Sequence, residues 1–350
     1  MRRLSYEKGA AQRFDLERYF PRSVMEAIAA IRVDDPELVV REAARRRRRE
    51  RLAPDGRLVI IAVDHPGRGV TVIGDDPLRM GNRWEYLGRT LRALAAPGVD
   101  GVMGTPDFLE EIIIANHLIT RGGGPSLLDE KILVGCMQRG GVAGVAGEIN
   151  DRFGSYTAEA LEAMRFDGGK MLIRAVPDDP ATLATVDYCA RAVTELSRRR
   201  LAAFVEPLPQ RREGNRYLAD YTLPNLVKWV GVVAALGETA RYTWIKIPYV
   251  DQYERVAAAT SLPILMLGGE SKGDPTGVIE SFAAGMKAGP NVRGAMVGRN
   301  VTFPGALDPG RVAAAVAAVI HDGLSVDGAL AVARGEDPVD VADFAPFLRG

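Results

Sequence analysis

A lysine interrupts an otherwise apolar segment, YTWIKIPYV at residues 242–250. Side chains alternate along a β-strand, so Trp244 and Lys246 would share one face and Ile245 and Ile247 the other. If protein covers both faces, the Lys246 ammonium must be either paired with a carboxylate or functional. Desolvation lowers the pKa of a lysine, and the neutral amine is the form that attacks a carbonyl carbon. The segment therefore predicts a nucleophile at Lys246, with a structural ion pair as the alternative.

Three more ionisable residues begin or end apolar segments. Asp64 ends RLVIIAVD, Lys170 begins KMLIRA, and Glu206 lies near the end of AAFVEP. Two cations in one site disfavour each other, so Lys170 beside Lys246 would lower the pKa of Lys246 further. The carboxylates of Asp64 and Glu206 could shuttle protons if their surroundings separate their pKa values. Taken alone, Lys170 could equally reach solvent from the end of a strand.

Glycine-rich turns follow the last two apolar segments. PILMLGG ends in Gly268 and Gly269, and GAMVGR ends in Gly298 and Arg299. Backbone N–H groups beside glycine can bind a phosphate together with a guanidinium group. Glycine also serves simply to turn a strand into a loop, so it is the joint placement of the two turns that indicates a phosphate site.

The elements that must position these residues follow a repeating order. From residue 58 onward, short apolar runs alternate with longer amphipathic segments, which is typical of parallel strands separated by helices. Eight such runs in about 260 residues match a closed (β/α)8 TIM barrel, an α/β fold whose active sites lie at the carboxyl ends of the strands. An open doubly wound sheet is the alternative, but no GxGxxG follows the first run. The runs are 57–64, 100–104, 132–137, 170–175, 202–207, 242–248, 263–269 and 294–299.

The same pattern predicts an N-terminal helical extension at 1–55, the barrel at 56–323 and a C-terminal helical tail at 324–350. The extension ends in the arginine run Arg45–Arg49, and a run of like charge invites a nucleic-acid interpretation. The run contains no glycine, proline or aromatic residue, however, and it directly precedes a strand. A solvated helix face that caps the fold or meets a partner subunit is therefore favoured.

Composition excludes several classes of protein. Lysine plus arginine balance aspartate plus glutamate at 45 each, so no overall field attracts nucleic acid or an anionic membrane. No apolar run resembles a signal peptide or spans about 18 residues, which predicts a soluble, cytoplasmic protein. Cys136 and Cys189 lack CxxC spacing and are expected to be buried packing residues. Only three histidines are present, which disfavours a metal site, and the chemistry above requires no cofactor.

Taken together, these segments resemble the class I, Schiff-base aldolases that include the archaeal-type fructose-bisphosphate, tagatose-bisphosphate and deoxyribose-phosphate aldolases. AVDHPGRG resembles their first-strand segment, WIKIP their Schiff-base segment, and KMLIRAVPDDP a stretch of the tagatose-bisphosphate branch. MLGGESKGDP and GAMVGRN resemble their phosphate-binding pair, so the resemblance covers about residues 57–305. The catalytic residues that it implies are Lys246, Lys170, Glu206 and Asp64, and the residues for substrate or phosphate are Gly268, Gly269, Gly298, Arg299 and His65.

The chain also departs from the archaeal pattern. A tyrosine just after strand five serves there as proton donor, whereas FVEPLPQR has Leu208 at the matching position. Glu206 instead resembles the glutamate of the tagatose-bisphosphate branch, which implies the acid/base role for this residue. Tyr249 could contribute a hydroxyl, but a packing role is favoured.

The resemblance implies a carbon–carbon lyase that cleaves a phosphorylated keto sugar or sugar acid through a lysine Schiff base. The sequence most resembles the actinobacterial aldolases associated with inositol catabolism. Their substrate is 2-deoxy-5-keto-gluconate 6-phosphate, cleaved to dihydroxyacetone phosphate and malonate semialdehyde. Fructose bisphosphate, tagatose bisphosphate and deoxyribose phosphate stay open as substrates.

Two other classes of protein stay open as well. One is an imine-free barrel isomerase or epimerase, and the other is a non-catalytic metabolite-binding or scaffold protein. The expected partner is a small sugar phosphate, with no nucleic acid and no membrane. A homo-oligomer is the default expectation for a barrel enzyme.

Overall fold

Eight parallel strands close into a barrel in the computed structural model, which describes residues 14–138, 141–214 and 216–349. Around the barrel the strands follow the order β1, β2, β3, β4, β5, β7, β8 and β9, and β9 pairs with β1 to complete the ring. The predicted (β/α)8 fold with an N-terminal helical segment is therefore confirmed. The strands are β1 (Leu58–Ala62), β2 (Gly101–Gly104), β3 (Ile132–Cys136), β4 (Gly168–Ala175), β5 (Ala202–Glu213), β6 (Arg216–Ala219), β7 (Thr243–Pro248), β8 (Ile264–Leu267) and β9 (Val292–Val297).

Helices surround the barrel and cover its outer face. The apolar runs lack a strict alternation because residues on both faces of the strands are buried, one face in the barrel interior and the other under the helices. No helix in the described residues has the length and apolar character needed to cross a membrane. The helices are α1 (Leu16–Tyr19), α2 (Ser23–Asp34), α3 (Leu38–Arg45), α4 (Arg83–Leu94), α5 (Pro106–Arg121), α6 (Ala158–Ala163), α7 (Ala181–Arg198), α8 (Leu223–Ala234), α9 (Tyr253–Ala257), α10 (Thr276–Gly285), α11 (Arg299–Thr302), α12 (Pro309–His321) and α13 (Val326–Arg334).

A hairpin at the carboxyl end of the barrel was not predicted. Strand β5 continues past the barrel to Glu213 and pairs antiparallel with β6, with Gln210 opposite Ala219. The segment QRREGNRY is too polar to show the apolar alternation by which a strand is recognised in sequence. The hairpin returns the chain to the mouth of the barrel at Tyr221.

The arginine run fastens the N-terminal segment to the amino-terminal end of the barrel. Helix α3 ends at Arg45, so the expected helix face is wrong for the four arginines that follow, although Arg47 and Arg48 are exposed to solvent as expected. Arg46 lies 3.2 Å from Asp167, directly before β4, and Arg49 lies 2.7 Å from Asp100, directly before β2. The same carboxylates accept backbone N–H groups of β1 and β3. The run therefore caps the fold through buried and half-buried ion pairs.

Candidate active site

Four ionisable side chains meet inside the carboxyl end of the barrel. Lys170 is the third residue of β4, Glu206 the fifth of β5 and Lys246 the fourth of β7, while Asp64 follows β1 by two residues. The three strand residues occupy interior positions, since they alternate in phase with Phe204 and other residues that fill the barrel core. All four side chains are buried. The structure thus brings together all of the residues predicted for catalysis.

The four groups form a continuous chain of contacts. One oxygen of Glu206, Oε2, lies 3.0 Å from Lys246 Nζ and 2.8 Å from Lys170 Nζ. Lys170 Nζ also donates to Asp64 Oδ2 at 3.1 Å. Lys170 is only 2% exposed, so the alternative in which it reaches solvent is wrong.

The two lysines differ in how strongly they hold a proton. Burial and the neighbouring Lys170 cation lower the pKa of Lys246, and the Glu206 and Asp64 carboxylates oppose this shift without reversing it. Burial also disfavours the charged form of Lys170, but the Asp64 and Glu206 carboxylates outweigh it and raise the pKa of Lys170. Lys246 is therefore the lysine that more readily supplies a neutral amine, and Lys170 is the lysine that stays an ammonium.

The two carboxylates do not differ in this way. Burial alone would raise both values, but Lys170 together with Lys246 lowers the pKa of Glu206 to about 2. Lys170 and Arg68 hold the pKa of Asp64 well below its usual range. The separation of pKa values expected for an acid and a base is absent here, because both carboxylates share Lys170. Both are ionised near neutral pH and can accept a proton, but the neighbouring cations make both of them weak bases.

A second group around Asp64 was not predicted. Arg68 Nε donates to Asp64 Oδ2 at 3.0 Å, and Arg68 Nη1 lies 3.5 Å from Asp151 Oδ2. The Cys136 thiol lies in the same cluster, 3.8 Å from Asp64 Oδ2, while Cys189 is buried elsewhere in the core as expected. The only sequence signal was the position of Arg68 in DHPGRG, four residues after Asp64. Asp151 comes from the loop after β3, whose path the sequence does not indicate.

Two more polar groups line the mouth. Arg174 lies four residues after Lys170 on the same face of β4, with Leu172 between them, and its guanidinium contacts Glu148 Oε1 at 2.5 Å and the Gly141 carbonyl at 2.6 Å. Its Nε is buried and has no hydrogen-bond partner among the described residues. Tyr221 follows the hairpin, and burial together with the Glu206 carboxylate raises the pKa of its phenol. The sequence signal for Arg174 is its even spacing from Lys170 in KMLIRA, which places both side chains on one face of the strand.

The glycine-rich turns after β8 and β9 lie side by side, because these strands are neighbours in the barrel. Asn300 Nδ2 donates to the Gly268 carbonyl at 2.6 Å and ties the two turns together. Gly269 has a φ of +69°, and a Cβ on Gly298 would lie 2.6 Å from the Ala62 carbonyl oxygen. Arg299, which follows Gly298, contacts the exposed Glu270 at 3.8 Å. The residues predicted for phosphate therefore form one group.

His65 lies between this group and Asp64. Its Cε1 would be 2.9 Å from a Cβ on Gly298, and its Nδ1 is buried without a hydrogen-bond partner in the described part of the chain. Burial and the cations of Arg299 and both lysines lower the pKa of His65 to about 3, against the opposing charge of Asp64. The imidazole is therefore neutral, so one ring nitrogen can donate a hydrogen bond and the other can accept one.

Two further expectations concern groups near the site. The Tyr249 ring packs against Tyr253, with ring centroids 5.3 Å apart, in agreement with the favoured packing role. Within residues 14–138, 141–214 and 216–349, no three His, Cys, Asp or Glu side chains are grouped so that they could hold a metal ion.

The fold and these contacts define a (β/α)8 barrel with a buried lysine pair bridged by one carboxylate at the carboxyl ends of its strands. The chain belongs to the Cgl0159-like family, whose model matches residues 56–320. The structure of Cgl0159 from Corynebacterium glutamicum is 34% identical, with a TM-score of 0.80, over 87% of this chain and 99% of that chain. No curated protein sequence matches the chain.

More distant solved structures share the fold. A fructose-bisphosphate aldolase from Slackia heliotrinireducens is 14% identical, with a TM-score of 0.62, over 95% of this chain and 99% of that chain. A Schiff base-forming fructose-1,6-bisphosphate aldolase is 18% identical, with a TM-score of 0.54, over 81% of this chain and 99% of that chain. The resemblance inferred from the motifs is therefore confirmed at the level of the fold.

Proposed function

We propose that this protein is a class I aldolase and that Lys246 forms the Schiff base. The observation that carries the proposal is the Glu206 oxygen that lies 3.0 Å from Lys246 Nζ and 2.8 Å from Lys170 Nζ. A lysine desolvated beside a second cation is a recognised way to obtain a nucleophilic amine. The aldolases that share the fold add to this argument only by analogy.

In the proposed reaction, the neutral amine of Lys246 attacks the substrate ketone, and the carbinolamine loses water to give an iminium ion. The bond between the α and β carbons then breaks, and its electron pair moves toward the iminium nitrogen to form an enamine. The proton of the β-hydroxyl passes to an ionised carboxylate, Glu206 or Asp64, as the aldehyde product forms. Protonation of the enamine carbon and hydrolysis of the resulting iminium release the second product and restore the amine.

Lys170 has an electrostatic role in this scheme. It stays an ammonium because two carboxylates contact it, so it keeps the pKa of Lys246 low without competing as a nucleophile. Its position between Asp64 and Glu206 also allows it to relay a proton between the two carboxylates.

The substrate that we propose is 2-deoxy-5-keto-gluconate 6-phosphate, which carries a phosphate at one end and a carboxylate at the other. Arg299 and the glycine turns after β8 and β9 would bind the phosphate. Arg174 on β4 would bind the carboxylate, since its buried Nε and part of its remaining N–H capacity have no partner in the described structure. The bisphosphates and deoxyribose phosphate lack a carboxylate, so Arg174 favours the sugar acid over them.

The test is reductive trapping of the imine. The protein is incubated with 2-deoxy-5-keto-gluconate 6-phosphate, fructose bisphosphate, tagatose bisphosphate or deoxyribose phosphate, treated with borohydride, and mapped by peptide mass spectrometry. The expected result is a reduced adduct on Lys246 that is absent from Lys246→Met, with the highest yield for the sugar acid.

Other outcomes of the trapping experiment separate the alternatives. An adduct on Lys170 would show that Lys170 is the nucleophile and that Lys246 has the electrostatic role. No adduct from folded protein, together with turnover by Lys246→Arg at the wild-type rate, would instead favour an imine-free isomerase, in which Lys246 is only the ion-pair partner of Glu206.

A further inference from the structure

A second cavity opens at the amino-terminal end of the barrel, at the pole opposite the lysine pair. Its volume is about 440 Å³. Residues at the beginnings of several strands line it, including Ala202 of β5 and Trp244 of β7, as does the segment that leads into β1. The lining residues are Arg51, Leu52, Ala53, Gly56, Ala202, Arg241, Tyr242, Trp244, Pro263 and Arg293.

The wall of this cavity carries uncompensated positive charge. Arg51, Arg241 and Arg293 all line it, and its lining includes no aspartate or glutamate. None of the three guanidinium groups has a carboxylate within 4.0 Å in the part of the chain that the structure describes. In contrast, the neighbouring Arg46 and Arg49 are both paired with aspartates. Arg51 and Arg241 are exposed and Arg293 is half-buried, so all three guanidinium groups are open to an anion that enters the cavity from solvent. Guanidinium binds phosphate oxygens in bidentate geometry.

The floor of the cavity is aromatic. Trp244 closes the bottom of the barrel and packs on Phe204, with ring centroids 6.1 Å apart, while Tyr242 adds a second ring to the wall. Leu52, Ala53 and Pro263 supply further apolar surface. An inorganic anion would satisfy the arginines but leave this apolar surface in contact with water. A ligand with both an anionic group and a flat ring would use both parts of the cavity.

We propose that this cavity is a binding site for a nucleoside phosphate. The phosphates would contact Arg51, Arg241 and Arg293, and the base would lie against Trp244. A cavity of this size suits a small organic ligand, since ligand pockets typically range from about 300 to 1,000 Å³.

The position of Trp244 connects this site to the lysine pair. Trp244 precedes Lys246 by two residues on β7, and Phe204 precedes Glu206 by two on β5, so each ring lies directly beneath one member of the Lys246–Glu206 pair. Phe204 and Trp244 are also register partners between the two strands. A ligand that contacts Trp244 therefore contacts the pair of aromatic rings that packs directly beneath Lys246 and Glu206.

Calorimetric titration of the full-length protein with ADP tests the proposal, with adenosine and inorganic pyrophosphate as the two partial ligands. We expect ADP to bind at least tenfold more tightly than either, because only ADP carries both the ring and the phosphates. The double variant Arg241→Gln, Arg293→Gln should lose at least tenfold in ADP affinity. Arg191→Gln, which changes an exposed arginine on α7 away from the cavity, should bind ADP as the wild type does.

Several results would overturn the proposal, none of which depends on the proposed aldolase activity. They are the absence of ADP binding at millimolar concentration, equal binding of pyrophosphate and ADP, and unchanged ADP affinity in the double variant. The last result would place any bound phosphate at Arg299 instead. Thermal melts of each variant confirm that the affinities refer to folded protein.

Discussion

At the scale of single residues, the site works through an unequal sharing of charge. Two lysines contact the same oxygen of Glu206, but only Lys170 has a second carboxylate, Asp64. Asp64 raises the pKa of both lysines, but it contacts only Lys170, where together with Glu206 it outweighs the effect of burial. In the proposed mechanism, the charged neighbours therefore decide which lysine is the nucleophile, since both lysines are buried.

Replacement of Lys170 tests that balance. In Lys170→Met the cation that lowers the pKa of Lys246 is gone, and Glu206 has only Lys246 left to pair with. Both changes raise the pKa of Lys246, so the limb of kcat/KM that requires the neutral amine should move to higher pH, and activity at neutral pH should fall by at least about tenfold. The pH dependence of kcat/KM measures the shift. Lys228→Met, on the exposed surface of α8, is the control. If the limb does not move in Lys170→Met, Lys170 does not set the pKa of Lys246.

At the scale of elements, the turn after β9 is held in a space that only glycine fits. A Cβ on Gly298 would meet the Ala62 carbonyl oxygen at 2.6 Å, and backbone there cannot yield easily. Gly277 in α10 has no atom within 4 Å of its Cβ position and serves as the matched control.

Gly298→Ala should therefore destabilise the protein by about 1–3 kcal/mol and raise KM for phosphorylated substrate, because the turn that carries Arg299 must shift. Gly277→Ala should leave KM unchanged and stabilise the helix by about 0.5–1 kcal/mol. Thermal melts and steady-state kinetics give both readouts. Equal melting temperatures and equal KM values for the two variants would contradict the assignment of this turn.

A second element-scale feature closes the amino-terminal end of the barrel. His321, at the end of α12, lies 2.7 Å from Asp55 and 3.1 Å from Asp100 through its two ring nitrogens. Burial opposes its charge, but the hydrogen bonds to both aspartates raise the pKa of His321 to about 9. The group gains its proton more readily in the folded state than in the unfolded chain, where its pKa is about 6.5.

The stability that this histidine contributes is fully present below about pH 6.5 and is lost as the pH rises through about 9. The shift corresponds to about 3 kcal/mol, on the order of a large single mutation. Denaturant unfolding of the wild type and of His321→Gln between pH 6 and 10 should show a difference that shrinks across this window. A difference that is constant with pH would show that His321 is not charged in the folded protein.

At the scale of the whole molecule, the closed ring sets the distance that a substrate must span. β4 and β9 lie four strands apart in the eight-stranded ring, on opposite sides, and β7 lies midway between them. Arg174 and Arg299 therefore face each other across the mouth with Lys246 between them. This arrangement suits a molecule with an anion at each end and a ketone between them.

Replacement of Arg174 tests recognition of the carboxylate end of such a substrate separately from recognition of its phosphate end. Arg174→Gln is expected to raise KM for 2-deoxy-5-keto-gluconate 6-phosphate by about tenfold or more, the typical loss for one charge-assisted pair. Trapping of dihydroxyacetone phosphate on Lys246 should be unchanged, because that molecule has no carboxylate. If both ligands lose affinity equally, Arg174 supports the fold of the mouth and does not select the substrate.

The sequence by itself determined the eight barrel strands and the ionisable residues in or beside them. Buried parallel strands are short apolar runs, so a lysine or carboxylate within one is conspicuous, and Lys246, Lys170, Glu206 and Asp64 were found in this way. Eight runs imply a closed ring, and closure places all strand ends at one mouth. These inferences are possible because the apolar character of a buried strand is a local property that can be read from consecutive residues.

Only the tertiary structure decided which groups contact one another. The approach of Arg68 to Asp151, the face-to-face placement of Arg174 and Arg299, and the meeting of Arg51, Arg241 and Arg293 at one cavity join segments far apart in the chain. The pKa difference between the two lysines likewise depends on distances of about 3 Å that no spacing in the sequence encodes. Such contacts follow from the closure of the barrel and the paths of its loops, which are set by packing over the whole molecule.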